Sequence, residues 1–409
     1  MGIAEVFPRI LGEDVDVEFT AYDGSTAGRR GSDVRFEIRS PLAMSHLAAA
    51  PGELGLVRAY VTGAVEVHGD MHTALSRFPA IALHDVPVKA RWQVAARLAA
   101  YRAWWPVTPP VHEYRPHGWR HSKSRDSHAV SYHYDVSNRF YEWVLGPSMA
   151  YTCAVYPEAS SSLEEAQYTK HDLVARKLGL GSGMRLLDVG CGWGGMVMHA
   201  AERYGARALG VTLSRQQARW AQKAIAERGL ADLAEVRYLD YRDVEESGFD
   251  AISSIGLTEH IGRAHLPEYF GFLHDRLRPG GRVLNHCITR PDGLHDAKAG
   301  KFISRYVFPD GELHGPGTLV SAMHDHGLEV RHEENLREHY GMTLRDWCAN
   351  LEHHWADAVR EVGLERARIW RLYMAASRLG FEHNAIQLHQ VLGVRPDGTN
   401  SAMPLRPTW

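Results

Sequence analysis

The sequence predicts an α/β fold: a doubly wound parallel sheet preceded by a small N-terminal α+β module. Three observations carry this. From about residue 131 onward, strand-like and helix-like runs alternate. The first of those strands, RLLDVGC (185–191), runs into a glycine-rich turn. Residues 1–85 instead show short strand-like runs separated by turns. Strands alternating with helices pair in parallel and are covered on both faces. Ligands then gather at the carboxyl ends of the strands.

In chain order, VDVEFTAYDGS, DVRFEIRS and AVEVHGD read as strands of the first module. VRFEIRS alternates apolar and polar residues with the period of a half-buried strand. SPLAMSHLAAAP reads as a short helix with Ser40 as its cap and Pro51 as its stop. Residues 86–130 change character. VKARWQVAARLAAYRAWWPV is helical in pattern and mixes Arg91, Arg97 and Arg102 with Trp92, Tyr101, Trp104 and Trp105. A Pro-rich stretch with Arg115, Arg120, Lys123 and Arg125 follows. This helical, basic linker suits contact with anionic lipid headgroups, or equally an amphipathic helix and a solvated linker. Residues 131–409 read as one larger α/β domain. Its strands are RLLDVGC, ARALGVTLS, AEVRYLD, FDAISSIG and GRVLNHCIT, with helices ended by Gly205 and Gly229.

The 409 residues carry 46 Lys and Arg against 49 Asp and Glu, a formal charge of −3. So balanced a chain has no bulk attraction for nucleic acid. Cys153, Cys191, Cys287 and Cys348 form no CxxC pair, so neither a zinc site nor a disulfide framework is expected. A reducing cytoplasm is. HEENLREH (332–339) is not HExxH, and no metal is assigned. The N-terminus has acidic residues where a signal peptide needs an apolar core. No run of 18 apolar residues exists to span a membrane.

The strongest local signal is LLDVGCGWGG (186–195). Asp188 closes a hydrophobic strand, and Gly190, Gly192 and Gly194 turn the chain into a helix. Glycines let the backbone approach a ligand beside the helix N-terminus. A bare GxGxG is shared with dinucleotide folds and with empty tight turns. The strand followed by D-x-G-x-G-x-G resembles the S-adenosylmethionine (SAM) methyltransferases. The next strand ends GVTLSRQQ, placing Thr212, Ser214 and Gln217 where such folds carry a carboxylate for ribose. Neutral polar side chains can still bond a ribose.

HYDVSNRFYEWVLGPSMAYTCAVYP (133–157), LLDVGCGWGG, GVTLSRQQ, SSIGLTEHIG (253–262), LRPGGRVLNHCIT (277–289) and HYGMTLRDW (339–347) occur in one order. Together they resemble the cyclopropane-fatty-acyl-phospholipid synthase family, including the mycolic acid cyclopropane synthases. LGLVRAYVTGAVEVHGD (54–70) is similar to the lipid-binding-like module of the longer members. The resemblance implies a SAM pocket lined by Tyr151, Thr152, Asp188, Gly190, Gly192, Trp193, Thr212, Ser214, Gln217, Tyr241, Arg242 and Ile255. It implies a bound bicarbonate ion as base, held by the backbone at Cys153 and Ile288 and the side chains of Glu259, His286 and Tyr340.

The chemistry explains those residue types. An isolated double bond is a poor nucleophile, so the methyl donor must be aligned in a dry site. Methyl transfer leaves a carbocation, which the faces of Tyr132, Tyr134, Tyr151 and Tyr306 are candidates to stabilise. Glu259 and His286 stand at the ends of consecutive predicted strands and can converge on one crevice. Each has a purely structural counterpart: a carboxylate at a helix N-terminus for Glu259, a bonded core histidine for His286, a buried filler for Cys153 and a packed core ring for Tyr340.

Cyclopropane synthases usually have an aromatic residue before the catalytic Glu, and Thr258 stands there. GLTEHIGRAHLP, NHCITRP, RYVFPDGELHGPG and GFEHNAIQLHQVLGV resemble the actinobacterial enzymes that make 10-methylene and 10-methyl fatty acids. The expected reaction is methyl transfer to an oleoyl chain on phospholipid, giving a 10-methylene chain. Cyclopropanation and a non-catalytic lipid-binding role are the alternatives. The expected partners are a phospholipid at the inner face of the membrane, contacted peripherally, and a separate reductase. Methyltransferase folds with added modules often self-associate as homo-oligomers.

Overall fold

The computed structural model describes residues 2–11, 15–50, 52–78, 107–114, 137–291, 300–308, 311–401 and 403–409. The 86–130 segment apart from 107–114, the stop at Pro51, and Tyr132 and Tyr134 lie outside the described residues. The chain forms two units. One comprises Met1–Arg115, Gly300–Pro309 and Trp355–Leu379; the other comprises Pro116–Ala299, Asp310–His354 and Gly380–Trp409. Composition and turn signals place boundaries near residues 85 and 130, whereas the first unit also takes in two later segments.

The first unit holds β1 (Glu18–Ala21), β2 (Thr26–Gly28), β3 (Arg35–Ile38) and β4 (Val65–His68) in the sheet order β2-β1-β3-β4. Around it stand α1 (Val6–Leu11), α2 (Leu42–Ala49), α3 (Glu53–Val61) and α4 (Met71–Ser76). Phe19 is fully buried between Phe7 and Phe36, with ring centroids 5.7 and 5.9 Å away. The cap of α2 is Pro41, with no side-chain bond, rather than Ser40. Proline at a helix start brings a preset φ and gives up no intrahelical bond. Helices Lys301–Tyr306 and Trp355–Val362 and all but the last turn of helix Leu364–Glu382 come from the later segments.

Two buried ion pairs tie the first unit together. Arg58 donates to both Glu113 oxygens at 2.7 and 2.8 Å. The Tyr306 hydroxyl donates to the same carboxylate at 3.1 Å. Tyr306, read from sequence as a cation-stabilising ring, is therefore one arm of this ionic cluster. Arg368 pairs with Glu66 and donates to the Tyr60 carbonyl at 3.2 Å.

The second unit is built on a seven-stranded sheet. Its strands are β5 (Arg185–Val189), β6 (Arg207–Thr212), β7 (Ala234–Tyr238), β8 (Phe249–Ile255), β9 (Leu277–Thr289), β10 (Glu329–Asn335) and β11 (Gln387–Val394), in the order β10-β11-β9-β8-β5-β6-β7. The five strands read from sequence pair in parallel. β11 and β10 extend the sheet antiparallel and were not foreseen. EVRHEEN is polar at nearly every position, so no apolar period announces β10.

Covering helices are α5 (Asn138–Leu145), α6 (Leu163–Leu178), α7 (Gly195–Tyr204), α8 (Arg215–Glu227), α9 (Leu266–Arg276), α10 (Pro316–Asp325) and α11 (Arg337–His353). α6 opens with a capping box in which Ser162 and Glu165 satisfy each other's backbone amides. Adjacent residues of β5 feed opposite cores. Leu186 packs with Val197, Ala221 and Ile225, while Leu187 packs with Ile252, Phe270 and Leu273. Each is fully buried, worth about 1.5–3 kcal/mol apiece. No helix among the described residues is long and apolar enough to cross a membrane. β5 lies between β6 and β8, so the chain reverses its winding there and opens a crevice at the carboxyl ends.

Candidate active site

That crevice is a cavity in the second unit. Of the twelve residues carried over for SAM, all but Ser214 line it. The turn after β5 is held because the amides of Gly190 and Cys191 both donate to the Val211 carbonyl at 3.0 Å. Gly190 and Gly192 have φ of +76° and +55°, a region where a side chain costs about 1–2 kcal/mol. A Cβ on Gly190 would meet Leu257 at 3.3 Å. A Cβ on Gly192 would meet no protein atom nearer than 4.0 Å, so it would project into open cavity. This bare backbone cradle fits a ligand that lies directly on the chain.

Asp188 is buried and accepts from Ser253, its neighbour across the β5–β8 register, at 2.7 Å. Burial raises its pKa to about 6. The Thr212 hydroxyl donates to Gln217 at 2.7 Å, so the pair presents neutral polar groups at the end of β6. Ser214 is displaced from the predicted role: it caps α8 by accepting from the Gln217 amide at 3.2 Å. Arg242 is clamped by Asp240, with Nε and one terminal nitrogen at 2.9 and 2.6 Å from its two oxygens.

The loop carrying Tyr151 and Thr152 is held from α6. Gln167 donates to the carbonyls of Ala150 and Thr152 at 3.3 and 2.9 Å. Lys170 donates to the Thr152 hydroxyl at 3.0 Å. Lys170 is 1% exposed, and burial lowers its pKa to about 8. Lys170 and its neighbour His171 line the cavity. An aromatic row runs from the glycine turn through Trp193, Tyr141, Tyr151, Trp347 and Tyr340 to Phe381. Successive centroids are 4.8, 5.9, 5.2, 6.1 and 4.4 Å apart.

The five residues assigned to catalysis lie off the cavity lining, and two of them, Cys153 and Glu259, are next to it in the chain. Cys153 follows Tyr151 and Thr152; Glu259 stands between Leu257 and His260, which line it. Glu259 Oε1 accepts from the Ile288 amide at 2.7 Å. Glu259 Oε2 is buried and has no partner among the described residues. Burial lifts its pKa to about 7. His286 is fully buried on β9, facing Ile255 in the β8 register. Its Nδ1 lies 3.1 Å from Gln390 Nε2, and its Nε2 has no partner among the described residues. The Ile288 amide is thus engaged by Glu259 rather than held ready for an anion. The Cys153 thiol contacts the carbonyls of Ala154 and Leu336, and burial pushes its pKa up. Tyr340 stacks on Phe381.

Thr258 is buried and donates to Asn285 at 2.5 Å, a polar pair beside Glu259. Sequence reading missed Lys170, His171, Gln167, Asp240, Tyr141 and Trp347. No motif marks a buried lysine within an amphipathic helix, and only the fold brings it to the cavity. The buried carboxylate of Asp188, an uncovered acceptor on Glu259 and a neutral imidazole together give a site able to bind a polar ligand and move a proton.

Comparison with known proteins gives this geometry a family. Residues 121–391 match the mycolic acid cyclopropane synthetase family. A probable fatty acid methyltransferase of Mycobacterium tuberculosis is 54% identical over 405 residues, covering 96% of this chain and 94% of that protein. A tuberculostearic acid methyltransferase of the same organism is 32% identical, covering 70% of this chain and 68% of its own. The crystal structure of a mycolic acid cyclopropane synthase complexed with SAH and CTAB is 31% identical. It aligns with a TM-score of 0.62, covering 65% of this chain and 97% of that one. The chain belongs to the mycolic acid cyclopropane synthetase family and is a SAM-dependent methyltransferase.

Proposed function

We propose that this fatty acid methyltransferase methylates the cis double bond of an oleoyl chain on phospholipid and releases a 10-methylene acyl chain. The observation that carries the reading is the pairing of two chemistries: a glycine-cradled cavity beside a buried acceptor, Glu259 Oε2, and a buried imidazole atom, His286 Nε2, both without protein partners among the described residues. SAM, when bound, supplies an electrophilic methyl group. Gly190, Gly192, Asp188, Thr212, Gln217 and Arg242 are the residues that would hold it.

On the substrate, one olefinic carbon gains the methyl and the neighbouring carbon becomes cationic. A 1,2-hydride shift moves the charge to the carbon bearing the methyl. Loss of a proton from that methyl gives the methylene. The ring faces of Tyr151 and its neighbours in the aromatic row are surfaces that stabilise a cation without offering a nucleophile. A bicarbonate ion, when bound, would supply the base; the open polar atoms of Glu259 and His286, with Tyr340 and the Cys153 backbone, are what would hold it. Thr258 bonded to Asn285, in place of an aromatic residue, supports the methylene outcome over ring closure. The tuberculostearic acid methyltransferase among the relatives supports it too.

The chain carries no nicotinamide or flavin motif, so the saturated 10-methyl form requires a separate reductase. Substrate on phospholipid calls for peripheral contact with the inner face of the membrane. The test is expression of this chain in cells rich in oleoyl phospholipid, with gas chromatography–mass spectrometry of the fatty acid methyl esters. A 10-methylene ester is the expected product. A cyclopropane ester with its ring-proton NMR signals would overturn the product assignment, and unmodified oleate with no S-adenosylhomocysteine formed would favour a lipid-binding role.

A further inference from the structure

His286 is the end of a buried polar row. Glu334 on β10 pairs in register with Gln390 on β11, and Gln390 pairs in register with His286 on β9. Lys177, from α6, lies against this row. Its ammonium donates to Gln390 Oε1 at 2.8 Å and meets Glu334. Gln390 Nε2 then lies 3.1 Å from His286 Nδ1. Lys177, Gln390 and His286 are each no more than 1% exposed, while the Glu334 side chain is 37% exposed.

The donor count of this row leaves one arrangement. An ammonium only donates, so the Gln390 atom facing Lys177 is its carbonyl oxygen. The amide nitrogen therefore faces His286, and it too only donates. His286 Nδ1 must accept, so it carries a lone pair. A neutral imidazole with a lone pair on Nδ1 has its proton on Nε2. An imidazolium would set one N–H against another. We propose that Gln390 and Lys177 are positioning residues that hold His286 as the neutral Nε2–H tautomer, so that it offers a hydrogen-bond donor, not a base, to the catalytic site. Burial and the nearby charges of Lys170 and Lys177 also lower its pKa.

This inference rests on the placing of His286 in the catalytic site, and it assigns the proton. When the C–H bond of the new methyl breaks, its electron pair forms the methylene double bond. The proton passes to an oxygen, on Glu259 or on an anion beside it, because His286 Nε2 already bears hydrogen. His286 steadies that oxygen and keeps its own proton.

The test is a two-bond nitrogen–proton correlation spectrum of the full chain labelled with 15N-histidine, at neutral pH. His286 is assigned by the signal lost in His286→Gln. The expected pattern has Nε2 protonated and Nδ1 unprotonated. Gln390→Glu replaces the donor by a carboxylate, which accepts from Nδ1–H and leaves the lone pair on Nε2. The spectrum should invert, and kcat should fall by about 100-fold or more with SAM affinity unchanged. If that variant fails to fold, Lys177→Arg keeps a cationic donor and should retain the wild-type pattern, and Lys177→Met, which frees the amide to flip, should add the Nδ1–H form. A wild-type spectrum showing Nδ1–H or an imidazolium overturns the inference, as does an uninverted spectrum in Gln390→Glu. A wild-type Nε2–H pattern with full activity in His286→Gln would instead remove His286 from catalysis and leave its tautomer assigned.

Discussion

A carboxylate with one bonded and one bare buried oxygen is expensive to ionise, and Glu259 carries that cost. Its pKa rises from 4.5 to about 7, so the folded chain holds this proton more tightly than the unfolded chain does. The stability it contributes is complete below about pH 4.5 and is lost as pH rises through about 7, by on the order of 3 kcal/mol. Glu259→Gln carries no such proton. Urea unfolding should find the variant close to wild type at about pH 4.5 and more stable than it at about pH 8. Its turnover should fall roughly 10²- to 10⁴-fold, because the site loses its ionisable oxygen. Calorimetric titration should show SAM binding intact. Equal turnover would make Glu259 structural. Gly192→Ala gives the complementary result: its Cβ meets no protein atom nearer than 4.0 Å, so the chain should fold, at a cost of about 1–2 kcal/mol, and fail to bind SAM. The glycine turn was legible in the sequence because it is a local feature, and Glu259 was named there from the family's motif. Lys170, Asp240 and Gln390 were not, because each is an ordinary polar residue until the fold buries it.

At the scale of elements, the site depends on helices clamping loops. α11 fixes the segment after Tyr151 through Thr343, whose hydroxyl accepts from the Ala154 amide at 3.0 Å and donates to the His339 carbonyl at 2.7 Å. The Tyr156 amide donates to His339 Nδ1 at 3.0 Å. Thr343 and Ala154 are both fully buried. Thr343→Val keeps the volume and strips the acceptor from a buried amide, which costs about 1–3 kcal/mol. Chemical denaturation should register that loss. SAM affinity should drop with it, since Tyr151 and Thr152 lie just before the freed amide. A loss of stability with unchanged affinity would separate this clamp from the cavity. The parallel strands and their helices were readable because apolar runs alternate with periodic ones. The antiparallel β10 and β11 were not, since EVRHEEN shows no period and its partner lies more than fifty residues later.

For the whole molecule, the question is where the chain can be cut. Composition and turn signals suggest a small module ending near residue 85, a linker over 86–130 and a catalytic domain beginning at 131. The contacts within the first unit argue otherwise. Its late helix Leu364–Glu382 buries Ala367, Trp370, Tyr373 and Met374. From the same helix, Arg368 is 3% exposed, paired with Glu66 and bonded to the Tyr60 carbonyl. Arg371 donates to the Gly69 carbonyl at 3.3 Å, and Tyr306, far along the chain, shares Glu113 with Arg58. A chain beginning at residue 131 would strand these groups. Arg368 would lose its carboxylate, and breaking such a buried pair costs about 3–5 kcal/mol. Arg368 would also lose the Tyr60 ring, whose centroid lies 5.6 Å from its guanidinium carbon. Against a net stability of about 5–15 kcal/mol for a folded protein, that loss is decisive. The truncated chain should therefore aggregate or melt without a cooperative transition, and Arg368→Met in the full chain should be milder, because Glu66 keeps a second cation, bonding Arg39 at 2.8 Å. Light scattering and differential scanning calorimetry of the two variants beside wild type decide it: a monodisperse 131–409 fragment with a sharp transition and wild-type SAM affinity would show that the early and late segments of the first unit are dispensable to each other.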